Sequence, residues 1–243
     1  MTSLPHVSSA PYNYVGQELD LFARAANWKT YFGAAIAPFV RGDVLEVGAG
    51  IGQTTRHLCD GRQRSWTCLE PDPTLADRLE RDADVRSLSP RPSIHIGTTA
   101  SLGNERWFDT ILYIDVLEHI EHDRAELERA ASLLTQNGAL IVLSPAFQFL
   151  FSDFDRSVGH FRRYTASTLD AVIPTGLQRV RLQYLDSVGF LASLANRALL
   201  RQSMPTARQI RLWDGRMVPV SRLLDPVLSR LFGRSVIGVY ERR

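Results

Sequence analysis

The residues best placed to do chemistry begin with Glu46-Val47-Gly48-Ala49-Gly50-Ile51-Gly52. Glycines so closely spaced allow a tight turn and let a ligand lie against bare backbone. A dinucleotide fingerprint, G-x-G-x-x-G, would need its third glycine at position 53, which is Gln53. The loop is G-x-G-x-G instead, with an acid two residues ahead. Glu46 would repel a pyrophosphate and attract an ammonium. A second acid, Glu70, follows Gly48 by 22 residues, the distance at which a carboxylate ending the next strand reaches ribose hydroxyls. A third, Asp115, closes the apolar run Asp109 to Ile114. Singly these could be a turn, a turn cap before Pro71 and a helix cap. In this order and spacing they predict one crevice for a cationic, ribose-bearing ligand.

A second group lies between Phe151 and Thr165. Adjacent arginines beside a tyrosine can clamp a phosphate or carboxylate, so Arg162, Arg163 and Tyr164 are candidate substrate-binding residues. The same arginines can pair with Asp153 and Asp155 to fix the loop while Tyr164 packs, and the two roles are compatible. His160 has the unperturbed pKa to take a proton from a hydroxyl or amine near neutrality, which makes it the first candidate for a catalytic base. His119 is the second, with a structural role at a helix start as its alternative.

These residues need a scaffold, and the chain around them alternates strand and helix. Strands are predicted at Asp43 to Val47, Ser65 to Leu69, Ile94 to Ile96, Asp109 to Ile114 and Ala139 to Leu143. Helices are predicted at Gly52 to Cys59, Thr74 to Arg81 and Glu121 to Leu134, the last closed by a turn at Gln136-Asn137-Gly138. Continuous apolar strands at this spacing imply a parallel sheet covered on both faces, an α/β, doubly wound Rossmann-like fold. Phe149 to Tyr164 reads as a long loop, Thr165 to Val172 as a helix, Gln178 to Leu185 as a strand, and Ser235 to Glu241 as the last strand. One domain spans 1–243, with a helical cap over 1–40 and a helical insertion over 187–233. An insertion of that length is expected to be a lid or an interface.

Composition sets outer bounds. The apolar fraction of 44% and charged fraction of 22% suit a soluble globular chain, and a net charge of +2 gives no reason to expect nucleic acid. The charge is uneven: from Pro174 to Arg243 twelve arginines face four acids. That basic third could meet a phosphorylated substrate, an anionic membrane surface or water. Cys59 and Cys68 fit no metal or redox spacing and read as core residues. The N-terminus shows no secretory pattern and no stretch is long and apolar enough to span a bilayer, so the expected location is cytoplasmic.

The segments VLEVGAGIGQTT, CLEPDP, FDTILYIDVLEHI and LLTQNGALIVLSPA resemble successive motifs of the class I S-adenosylmethionine-dependent methyltransferases, in particular small-molecule enzymes with a VLEHI helix start. The resemblance runs from about Asp43 to Ala146. It implies a seven-stranded sheet with an antiparallel last strand and S-adenosylmethionine as cofactor. By position, Glu46, Gly48, Gly50 and Gly52 would hold its amino-acid portion, Glu70 with Pro71 its ribose, and Thr99 would border its adenine. Asp115 sits over the same crevice, and Trp28 and Lys29 would close over it. Glu118, His119, His122 and Asp123 have ligand-type side chains, but relatives with VLEHI do not generally need a metal, and none is expected. The stretch FLFSDFDRSVGHFRRYT, and more weakly RLWDGRMVPVSRLLD, further resemble a bacterial subgroup often encoded beside glycosyltransferases. The expected activity is methyl transfer to a small, anionic metabolite. The alternative is a non-catalytic S-adenosylmethionine-binding scaffold. A homodimer and a peripheral membrane contact stay open as partners.

Overall fold

A computed structural model describes residues 13–16, 18–104, 107–197 and 204–243. Residues 1–12 of the expected N-terminal cap and 198–203 of the insertion lie outside that range. Seven strands form one sheet in the order β3-β2-β1-β4-β5-β7-β6. They are β1 Asp43–Val47, β2 Ser65–Glu70, β3 Ser93–Ile96, β4 Phe108–Ile114, β5 Leu134–Pro145, β6 Leu177–Leu185 and β7 Ser235–Arg242. β7 runs antiparallel to both β5 and β6, and the other pairs are parallel.

The central strands β1 and β4 are largely apolar because both faces of the sheet are covered there. Val44, Cys68, Leu112, Ile141 and Val239 point to one side, against Trp28, Phe32 and Ile36 of α2 (Ala26–Ile36). Leu45, Leu69, Tyr113, Leu140 and Val142 point to the other, against Leu127 and Ala130 of the helix Asp123–Ser132 and Leu169 of the helix Ala166–Val172. The two cores follow from the alternation of side chains along a strand.

Three expectations change. The turn read at Gln136-Asn137-Gly138 is part of β5, where Asn137 at φ 63° and a register shift opposite Phe108 and Thr110 form an irregularity inside a longer strand. The loop read at 149–164 contains a five-residue helix, Asp153–Ser157. The helix read from Glu121 starts at Asp123, after a 3₁₀ turn at Leu117–His119. The insertion is helical as expected, with Ser187–Ala195, Ala207–Leu212, a π-helical turn at Trp213–Met217, and Val218–Leu228. Among the described residues no helix is long and apolar enough to cross a membrane.

Strand order reverses between β1 and β4. Ligands of open α/β sheets bind beyond the strand ends at such a point, and both Gly48 and Asp115 stand there.

Candidate active site

A cleft of about 1300 Å³ opens over this switch point. Its walls include Gly48, Ala49, Gly50, Asp115, Glu118, His119, His160, Arg163 and Arg234. That exceeds the range of about 300–1,000 Å³ usual for a single ligand pocket, so there is room for a cofactor and an acceptor together.

The glycines divide by role. Gly50, at φ 54°, is bare toward the cleft: a Cβ there would meet only Leu19, at 3.9 Å. A Cβ on Gly52 would run to 2.4 Å from Leu79, so this glycine serves the packing of the following helix. Gly50 N donates to Glu70 Oε2 at 2.7 Å, and Asp72 N to Glu70 Oε1 at 3.0 Å. Glu70 is thereby aimed at the loop from the neighbouring strand end. Glu46 goes elsewhere. Its Oε2 accepts from Thr55 Oγ1 at 2.6 Å and Trp66 Nε1 at 2.9 Å, and burial pushes its carboxyl up to about 7. It braces the loop from behind, off the cleft wall. Thr99 is also buried and donates to Glu126 Oε2; neither it, Glu70 nor Pro71 lines the cleft, so the expected ribose and adenine contacts are not on the cleft wall.

The N-terminal segment crosses the cleft mouth. Tyr14 N donates to Asp72 Oδ2 at 2.7 Å, and Asp20 on the short helix α1 (Leu19–Phe22) pairs with Arg78. Trp28 and Lys29 both line the cleft. Lys29 Nζ, however, donates to the carbonyls of Phe22, Ala23 and Ala25, stapling α1 to α2, and burial lowers its pKa to about 8.

Asp115 ends β4 with φ 54°, a strained conformation for a residue with a Cβ. It opens to the cleft, whose depth still pushes its carboxyl up to about 6. Glu118 lies fully buried beside it. Its Oε2 accepts from Ser144 Oγ at 2.8 Å, and among the described residues its Oε1 has no hydrogen-bond partner. Burial pushes this carboxyl up to about 7.

Opposite them stands the loop after β5, organised by Asp155. One carboxylate accepts Ser152 N, Ser152 Oγ, Arg163 Nε, Arg163 Nη2 and His160 Nδ1, all at 2.8–2.9 Å. Burial would raise its pKa, but these bonds and the Arg163 charge hold it well below the usual range. His160 Nε2 lies 3.9 Å from Glu118 Oε1. Burial alone would lower the His160 pKa; the Asp155 bond and the charge of Glu118 outweigh it and set it above its usual value. His119 packs edge-on against His160, with centroids 4.5 Å apart, and burial lowers its pKa to about 3. It lines the cleft beside His160. Glu118, His119 and His160 are also the side chains that could hold a metal, their ligand atoms lying within 4.8 Å of one another.

The arginine clamp read from sequence is not arranged as a clamp. Arg162 pairs with Asp123 at 2.7 Å and donates to the carbonyls of Ile120 and Glu121. Tyr164 is buried with its hydroxyl on Asp123; neither lines the cleft. Arg163 does, but is held bidentate by Asp155. Loop fixing accounts for all three. Arg234, just ahead of β7, also lines the cleft. Its guanidinium stacks 4.4 Å over the Trp213 ring, and no ion pair or hydrogen bond from it occurs among the described residues. Sequence reading missed Asp155, Glu118 and Arg234 as site residues. Asp155 had a signal, as the suspected partner of the arginine pair, and Glu118 one as a ligand-type side chain at the VLEHI helix start; Arg234 had none.

Residues 45–140 match the family described as a methyltransferase domain. No curated protein matches the chain. Among solved structures it is similar to the [4+2]-cyclase SpnF, with TM-score 0.60, 15% identity and 94% of each chain covered. It is similar also to the N-methyltransferase NodS from Bradyrhizobium japonicum WM9 in complex with S-adenosyl-L-homocysteine, with TM-score 0.55, 15% identity, and coverage of 95% of this chain and 93% of that one. A third is coclaurine N-methyltransferase bound to N-methylheliamine and S-adenosyl-L-homocysteine, with TM-score 0.54, 14% identity, and coverage of 82% and 67%. At these identities the likeness is one of fold.

Proposed function

We propose that the chain is an S-adenosylmethionine-dependent methyltransferase, as the methyltransferase domain over 45–140 and the shared fold suggest, and that it methylates an oxygen or nitrogen of a small anionic molecule, with His160 taking the acceptor's proton. The observation that carries this is the Asp155–His160 bond at 2.9 Å, on the cleft wall opposite the glycine loop.

The cofactor fits the residues present. Bare backbone at Gly50 and two acids on the cleft wall, Asp115 and Glu118, suit a positively charged ligand lying against the loop. When bound, S-adenosylmethionine supplies an electrophilic methyl group. The chain's own work is then alignment and proton removal. Asp155 holds His160 by Nδ1, so the neutral ring presents Nε2 as acceptor. Arg163, held by the same carboxylate, keeps Asp155 ionised and the loop in place.

Arg234 supports an anionic acceptor. A buried guanidinium keeps its proton and favours an anion beside it; Asp186, Asp115 and Asp155 act on it through their charge, but none makes an ion pair with it among the described residues. Ala146 N donates to Arg234 O at 2.8 Å, so this residue stands at the end of β5. That is two strands from the glycine loop, roughly 10 Å, on the acceptor's side.

The test is incubation of the protein with methyl-labelled S-adenosylmethionine and the small-molecule fraction of a cell extract. The expected product is a labelled small molecule retained on an anion exchanger. Absence of any labelled product across extracts would favour a cofactor-binding scaffold.

A further inference from the structure

The helix Val218–Leu228 and the turn that follows it are turned inside out. The buried face carries Val218, Ser221 and Asp225, while Val220, Leu223, Leu224, Val227 and Leu231 point outward. Leu223 and Val227 are each 79% exposed and Leu231 is 67% exposed. Their spacing of three and four residues makes one stripe along the helix. Leu212, Leu191 and Leu194 extend the exposed apolar surface onto the neighbouring helices of the insertion.

The charge on the same insertion has one sign. Its acids are Asp214 and Asp225, with Asp186 just ahead, and all three are buried. Asp214 accepts from Asn27 and Trp28, Asp225 from Tyr31 and the amides of Asp186 and Ser187, and Asp186 from Trp213 and Ser221. They fasten the insertion to α2 and leave no carboxylate on its outer surface. Arg197, Arg208, Arg211, Arg216, Arg222 and Arg230 are exposed there. Arg216 stands one turn before Val220, and Arg230 one turn after Val227.

We propose that this face docks on an anionic lipid surface, the leucine and valine stripe entering the acyl boundary and the arginines meeting lipid phosphates. Apolar area combined with basic residues is what such binding requires. A second copy is disfavoured by the same observation. A two-fold contact would set this arginine surface against itself, with no acid to pair. Gly189, Ala192, Ile210 and Leu212 of the same helices line the cleft, so docking would bring the cleft wall to the lipid surface. The proposal concerns binding alone and does not depend on the methyl-transfer reading.

The experiment is co-sedimentation of the full chain with vesicles of phosphatidylcholine, with or without about 30% phosphatidylglycerol. Two double variants, Leu223→Ser/Val227→Ser and Arg216→Ser/Arg230→Ser, are run beside it. All four positions are exposed, and unchanged melting temperatures check the fold. Binding is expected only with the anionic lipid, reduced about tenfold or more by each variant. Equal binding to both vesicle types, binding to neither, or a dimer that the leucine–valine variant disperses would overturn the proposal.

Discussion

His160 Nδ1 lies 2.9 Å from Asp155 Oδ1, and the same carboxylate holds Arg163 through two bonds of 2.8 Å. The buried acid therefore sets both the tautomer of the histidine and the position of the loop that carries it. Its other contacts, to Ser152, cap the short helix from which it projects.

Asp155→Asn would remove the charge and keep the shape. Turnover should fall about 100-fold or more, since the ring loses its orienting partner. Stability should fall by about 3 kcal/mol, because Arg163 is left buried without its counter-ion. Steady-state rates and chemical denaturation read the two effects separately.

The pH dependence follows from Glu118. Its charge helps hold the His160 pKa above the usual value, and activity that needs the free imidazole rises with pH through that pKa. Glu118→Gln removes the negative charge, so the rising limb of kcat/KM against pH should move to lower pH. A limb that stays in place or moves up would show that another group sets it.

Gly50 and Gly52 should separate binding from folding. Gly50→Ala places a methyl at the cleft wall and should weaken S-adenosyl-L-homocysteine about tenfold or more in calorimetry. Gly52→Ala drives a Cβ to 2.4 Å from Leu79 and should cost about 2 kcal/mol in unfolding instead. The reverse pattern would put the cofactor elsewhere on the loop.

Arg234→Gln should raise KM for the labelled acceptor about tenfold while leaving the affinity for S-adenosyl-L-homocysteine unchanged. An equal loss of both would assign Arg234 to the carboxylate of the cofactor's amino-acid portion.

The sheet and its crevice were legible in sequence because they rest on local signals. Apolar runs ended by Gly48, Glu70 and Asp115 mark strand ends directly, and the alternation with helices orders them. The irregularity in β5 was hidden because Asn137-Gly138 is chemically a turn, and only pairing with β4 shows the strand continuing through it. Side-chain destinations were harder. An acid ending a strand can face either way, and Glu46 is claimed by Trp66 and Thr55 from other elements. Arg162 finds Asp123, far away in sequence, while its neighbour finds Asp155 in its own loop. Arg234 had no local signature at all, since its place depends on Trp213 and on the turn into β7.

The central claim is that His160 accepts a proton in a cleft built for S-adenosylmethionine. The most direct measurement is His160→Asn, assayed for labelled methyl transfer at saturating S-adenosylmethionine and, by calorimetry, for S-adenosyl-L-homocysteine affinity. The expected rate is lower by about 100-fold or more, with affinity within about twofold of the parent. A variant that turns over at the parent rate, or one that loses affinity and rate together, would contradict it.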